Sequence, residues 1–207
     1  MKLYFAPGAC SLAVHIALRE SALPFTLERV DTSSHTTETG TDFHAVNSRG
    51  QVPVLEFGDG QRMTEGAVIA QYVADQANAG NLIPSVGSLA RYRVLEWQNY
   101  VGTELHKAYT PLFNPALDTQ AKRTLVAVLR GKYEWLDARL RELSATGHDF
   151  LTGASFTVAD AYLFTVSRWA RFVDLDLGGL PSLHAYLARV GERDAVRAAL
   201  QAEGLPA

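Results

Sequence analysis

The period of the hydrophobic pattern changes along the chain, and the change divides it. Residues 2–5, 25–30 and 52–57 are short apolar runs of strand length. Between the first two, residues 10–23 repeat with a helical period: Leu12, Ile16 and Leu23 share one side, with Ala13 and Ala17 beside them. Residues 32–47 are polar and predict a loop with a short helix. Gly58-Asp59-Gly60 is a hairpin signal, with residues 61–63 as the return strand. Residues 66–76 turn Ile69, Tyr72 and Val73 to one face, which predicts a second helix. The order βαβ then ββα implies a small mixed sheet with helices packed on it.

After Asn78-Ala79-Gly80-Asn81 the strand signals stop. Residues 84–87 read as a turn-rich linker. Residues 89–109, 119–143, 158–173 and 181–200, the last broken near Gly191, all carry helical periodicity. The prediction is an α/β domain over residues 1–80 followed by an all-α bundle over residues 87–207. Composition refines this only slightly. With 47% apolar and 20% charged residues the chain reads as an ordinary globule. A net charge of −3 and scattered arginines argue against a nucleic-acid groove or an anionic membrane as partner. No apolar run approaches spanning length, and the N-terminus reads as strand, not as a signal peptide. A single cysteine excludes an internal disulfide and fits a reducing, cytoplasmic compartment.

That cysteine, Cys10, stands at the predicted strand-loop-helix junction. A helix N-terminus favours thiolate, and such sites bring cysteine pKa values to roughly 3.5–7.5. Free cysteine is equally among the most buried, inert residue types. Ala13 occupies the place a resolving cysteine would take, so redox work by Cys10 needs a second sulfur from another molecule. Pro53 opens a predicted strand. It suits a sheet edge, the simpler reading, or a cis bond that turns neighbouring backbone groups toward a ligand. Thr64-Glu65-Gly66 precedes a helix. Free amides there would accept a carboxylate and Glu65 an ammonium, together an amino-acid head group; a plain acidic cap reads the same way.

On the first helix after the linker, Asn99, Thr103 and His106 are spaced by four and three and share one arc. Val94, Trp97, Val101 and Leu105 take the other side. The stripe is amide, hydroxyl and imidazole, not the Lys/Glu mix of a solvated face. Pro111 ends or kinks this helix. Thr157 and Asp160 form a capping box, which is structural. Trp97, Trp135 and Trp169 are expected in cores. The histidines show no metal-ligand spacing, so no metal is predicted.

Taken together, Met1-Lys2-Leu3, Pro7-Gly8-Ala9-Cys10-Ser11-Leu12-Ala13, Asn47 through Gly50-Gln51-Val52-Pro53, Thr64-Glu65-Gly66 through Gln71-Tyr72-Val73-Ala74-Asp75, Thr103-Glu104-Leu105-His106-Lys107 and residues 156–164 resemble the bacterial beta class of glutathione S-transferases. The match runs in order over nearly the whole chain. It implies the glutathione transferase fold, a thioredoxin-like domain and then a helical domain, in a homodimer, with glutathione as co-substrate and a hydrophobic electrophile as partner. It further implies that glutathione lies extended, its backbone pairing with Val52 beside a cis Pro53, with Glu65 and Gly66 at the γ-glutamyl end. Cys10 and His106 would be the catalytic residues, His106 across the cleft from Cys10. Asn99, Thr103, Glu104, Leu105 and Lys107 would border the site, some from the partner subunit. Residues 109–115 and the helical domain would build the electrophile pocket.

Two departures stand out. His35 occupies a place where the class is expected to carry a lysine for a glutathione carboxylate, which predicts affinity that rises as the imidazole protonates. Tyr4-Phe5 reverses the expected order, which sends the tyrosine hydroxyl to the opposite face of the strand. Tyr4 is therefore read as structural, and Ser11 as a lesser candidate for thiol activation. The expected activity is conjugation with a thiol–disulfide side activity through Cys10. The alternatives are a glutathione-dependent disulfide reductase and a non-catalytic binder of hydrophobic ligands.

Overall fold

In a computed structural model, the protein is described over residues 1–77 and 82–206. The chain forms two compact units, Met1–Ile83 with Glu192–Ala207, and Pro84–Gly191. The predicted turn at residues 78–81 lies outside the described residues.

The first unit is built on strands β1 (Lys2–Phe5), β2 (Thr26–Asp31), β3 (Thr36–Thr37), β4 (Val54–Glu56) and β5 (Arg62–Met63), in sheet order β3-β2-β1-β4-β5. β1 runs parallel to β2 and antiparallel to β4, so Leu3 lies opposite both Leu27 and Leu55. Leu3 and Leu55 are fully buried, and burial of each such side chain is worth about 1.5–3 kcal/mol. Helices α1 (Ser11–Ser21) and α2 (Gly66–Gln76) match the sequence periodicity. Two details differ from the sequence reading. β3 is a two-residue antiparallel addition to β2, too short to leave a pattern. Pro53 is not on an edge: β4 is paired on both sides, and Pro53 precedes it, where no ladder bond is owed.

The second unit holds α3 (Leu89–Tyr100), a π-helical turn (Val101–His106), α4 (Lys107–Tyr109), a 3₁₀ turn through Pro111 (Thr110–Phe113), α5 (Thr119–Ala145), α6 (Val158–Ser167), a 3₁₀ turn (Arg168–Phe172) and α7 (Pro181–Gly191). One predicted helix over residues 89–109 is thus interrupted by a widened turn, a feature that often accompanies functional sites. The last helix, α8 (Asp194–Ala202), packs on α1 in the first unit. Trp169 is buried as expected. Trp135 is not a core residue: half of it is exposed, and it lies against Trp97 and Tyr100, with ring centroids at 6.2 and 4.8 Å. No described helix is long and apolar enough to cross a membrane.

The capping box does more than start α6. Asp160 is fully buried, and Oδ2 accepts from the Thr157 amide and hydroxyl, both at 2.8 Å. Oδ1 accepts from the Leu151 amide at 2.9 Å and the Tyr186 hydroxyl at 2.7 Å. One carboxyl thereby ties a loop, α6 and α7 together.

Candidate functional site

In the first unit the site residues gather where β1, α1, β4 and α2 begin or end. Cys10 is the residue before α1, half-buried, and its Sγ donates to the Val52 carbonyl at 3.3 Å. The Val52–Pro53 peptide is cis. Gly66, the first residue of α2, lies over the proline: a Cβ there would stand 3.4 Å from Pro53 Cγ and 3.8 Å from Val14 Cγ2. Cys10, Val52, Pro53 and Gly66 thus form one continuous patch.

Glu65 completes it. Its backbone sits at φ 67°, ψ 102°, in the region that favours glycine, and it immediately precedes α2. A non-glycine residue held there costs on the order of 1–3 kcal/mol, and such residues cluster at ligand sites. Its exposed carboxylate pairs with Arg49 at 2.9 Å, and Arg49 also donates to Thr64 Oγ1 at 3.2 Å. Sequence reasoning did not single out Arg49. Asn47 holds the segment that carries it, donating to the Gln51 carbonyl at 2.7 Å and accepting from the Arg49 amide at 3.2 Å.

His35 lies on the loop ahead of β3 at φ 52°, with its ring 4.3 Å from that of His44. Gly50 permits this stack: a Cβ there would come within 2.7 Å of the His35 ring and 2.8 Å of His44. The His35 Nδ1 is buried without a hydrogen-bond partner. Neither Tyr4 nor Ser11 is offered to a ligand. The Tyr4 ring packs with Val30, Phe43 and Val54, and its hydroxyl donates to Glu56 at 3.3 Å. Burial, then the neighbouring Glu56 carboxylate, pushes the Tyr4 phenol up from its ordinary pKa. Ser11 is fully buried, accepting from the Ala6 amide and donating to the Ala6 carbonyl, both at 3.2 Å.

A second network, absent from the sequence reading, supports the Cys10 loop. Glu203 Oε2 accepts from the Gly8 amide at 2.9 Å, and Oε1 lies 2.9 Å from His15 Nδ1. Arg19 Nε donates to His15 Nε2 at 3.2 Å, so the imidazole proton sits on Nδ1 and is given to Glu203.

In the second unit the predicted polar stripe is partly as expected. Asn99 and Thr103 are exposed, with the Thr103 hydroxyl donating to the Asn99 carbonyl at 3.0 Å. Glu104 is ion-paired with Lys132, and Lys107 is exposed. Leu105 is fully buried, so its side chain serves the core of this unit. The π turn carries His106 toward aromatic rings: Nδ1 lies 2.6 Å from the Tyr162 hydroxyl, and Trp169 meets the ring edge-on at 4.8 Å. Burial, with a smaller contribution from the Lys107 ammonium, lowers the His106 pKa to about 4. Tyr109, Phe113 and Trp169 continue the aromatic cluster, with centroids 5.6–6.3 Å apart, Tyr109 and Trp169 being buried. Phe113 is half-exposed. No group of three or more His, Cys, Asp or Glu residues suited to a metal occurs among the described residues.

Comparison with known proteins shows the family. Residues 8–76 match the model for the glutathione S-transferase N-terminal domain, and residues 100–194 the model for the C-terminal domain. The chain is 47% identical over 205 residues to glutathione S-transferase GstA of Escherichia coli O157:H7, covering 99% of this chain and all of that one. A sphingomonad glutathione S-transferase solved in complex with glutathione is 43% identical with a TM-score of 0.92, each chain covered in full. The beta-class enzyme of Sphingomonas chungbukensis is 41% identical with the same TM-score, again with both chains fully covered. The sheet unit is therefore thioredoxin-like and the second unit is the helical domain of the same fold. The chain belongs to the glutathione S-transferase family, in its bacterial beta class.

Proposed function

We propose that this protein joins the glutathione thiolate to hydrophobic electrophiles, and that Cys10 adds a thiol–disulfide activity on glutathione mixed disulfides. The observation that carries this reading is the 3.3 Å contact between the Cys10 sulfur and the Val52 carbonyl. It fixes the chain's only thiol beside the backbone against which an extended tripeptide would lie. In this reading Val52 pairs with the cysteinyl residue of glutathione beside Pro53. Glu65 and the first amides of α2, starting at Gly66, take the γ-glutamyl ammonium and carboxylate. His35 takes a further carboxylate. His106 serves the same reaction as a neutral imidazole.

In conjugation the glutathione thiol loses its proton, and its sulfur bonds to the electrophilic carbon. The leaving group, chloride in a chloronitrobenzene, departs with the electron pair of the broken bond. No covalent bond to the protein is needed. In the side reaction the Cys10 thiolate attacks the glutathione sulfur of a mixed disulfide and releases the other thiolate. A second glutathione then attacks the Cys10–glutathione disulfide, leaving as oxidised glutathione and restoring Cys10. Phe113, half-exposed and backed by the buried rings of Tyr109 and Trp169, suits an apolar electrophile.

Asn99, Thr103, Glu104 and Lys107 border the site in this reading, some contributed by the second subunit of a homodimer, while Leu105, fully buried, packs beneath them. The half-exposed Trp135, lying against the partly buried Trp97 and Tyr100, supports such a covered face. The test is turnover of a chloronitrobenzene with glutathione by the purified protein. Saturable conjugation is expected. Binding of glutathione without turnover would overturn the reading in favour of a non-catalytic binder.

A further inference from the structure

The hydrogen bond between His106 and Tyr162 has a consequence for which nitrogen of the imidazole is available. Tyr162 lies on α6, 56 residues beyond His106, and its hydroxyl is 2.6 Å from His106 Nδ1. A Cβ on Gly102, in the π turn itself, would stand 3.5 Å from that hydroxyl. The turn and the phenol are therefore packed against one another, and Trp169 closes the ring edge-on at 4.8 Å.

Two protonation patterns could satisfy a contact between phenol and imidazole. In one, the imidazole Nδ1–H donates to the phenol oxygen. In the other, the phenol O–H donates to a bare Nδ1. Relative proton affinity distinguishes them: a neutral imidazole nitrogen is a better acceptor than a phenol oxygen, and a phenol O–H is the more acidic donor, so the 2.6 Å contact is best made by the phenol donating to Nδ1. Burial keeps the ring neutral near pH 7, so it carries one proton only.

We infer that Tyr162 is a positioning residue: by donating to Nδ1 it holds His106 in the tautomer whose proton is on Nε2. The consequence rests on the reading that His106 serves the glutathione reaction. Under that reading, His106 acts as a hydrogen-bond donor through Nε2 at all pH values above its own titration. It stabilises a thiolate rather than removing a proton from a thiol. Without Tyr162, Nδ1 and Nε2 compete for the proton and only part of the population presents the donor.

The experiment is ¹⁵N–¹H long-range correlation NMR of the full protein at pH 7, with the His106 signals assigned from a His106→Gln spectrum. The expected pattern is a protonated Nε2 and an unprotonated Nδ1 in the wild type. A mixed or reversed tautomer is expected in Tyr162→Phe, with kcat for conjugation lowered roughly three- to tenfold, the effect of one hydrogen bond. A wild-type ring protonated on Nδ1 would overturn the inference, as would a Tyr162→Phe spectrum with the tautomer unchanged. The wild-type spectrum is decisive even if the variant fails to fold. The functional reading is judged separately: if His106→Gln conjugates at the wild-type rate, that reading of His106 fails while the tautomer assignment stands.

Discussion

His15 Nδ1 lies 2.9 Å from Glu203 Oε1, and both side chains are fully buried. The pair joins α1, which Cys10 immediately precedes, to the end of α8, and Glu203 also holds the Gly8 amide. Replacing Glu203 by Gln keeps the shape but leaves a single acceptor for two donors. Stability should fall by about 2 kcal/mol, within the range for a buried polar group left unsatisfied. The Gly8 amide should exchange its hydrogen faster than in the wild type. An unchanged exchange rate would mean that Glu203 does not hold the Cys10 loop.

Asp160 offers a contrast between partial and complete loss of one network. Thr157→Ala removes one of four donors and should cost about 1–2 kcal/mol. Asp160→Ala leaves the Leu151 and Thr157 amides and the Tyr186 hydroxyl without their acceptor and should cost about 3–5 kcal/mol. Urea unfolding midpoints measure both. Equal losses would show that the carboxylate acts only as a helix cap.

The neutral His106 makes folding sensitive to acid. Its folded pKa is about 4, below the ordinary imidazole value of about 6.5. Between those values the unfolded chain binds the proton and the folded one does not, so stability is lost as pH falls from about 6.5 to about 4. With allowance for the partly exposed ring, the loss from this residue is on the order of 2 kcal/mol. Stability curves at pH 4.5 and pH 7.5 should converge in part for His106→Gln. Identical pH slopes in variant and wild type would contradict this.

In the proposed reading His35 takes a glutathione carboxylate. Its ring lies 4.3 Å from that of His44. At pH 8 a lysine supplies the charge that an imidazole lacks. His35→Lys should therefore bind glutathione more tightly than the wild type at pH 8, measured by calorimetry. Equal affinity would remove His35 from the carboxylate site.

The sequence made the local features legible and hid the long-range ones. β1, α1 and α2 follow from their own periodicity, and the Thr157–Asp160 box is visible because its partners are three residues apart. The patch around Cys10 and Glu65 was legible through motif and junction. The left-handed backbone of Glu65 was not, because nothing about glutamate signals a positive φ. Glu203 and His15 are 188 positions apart, and Tyr162 and His106 are 56, so no spacing rule connects them. The π turn escaped because a helix with one widened turn keeps its apolar positions: Val94, Val101 and Leu105 are buried either way. Trp135 is exposed where its size suggests a core, because aromatic size alone does not say whether a ring faces a core or an exposed face.

In the proposed function two chemistries share one glutathione site, and Cys10→Ala separates them. The variant is assayed beside the wild type for conjugation of a chloronitrobenzene and for reduction of a glutathione mixed disulfide. Conjugation should persist within a few-fold of the wild type, because no bond to the protein forms in that reaction, while disulfide reduction should be lost. Loss of both activities in a folded variant would contradict the account and make Cys10 the nucleophile of everything this site does.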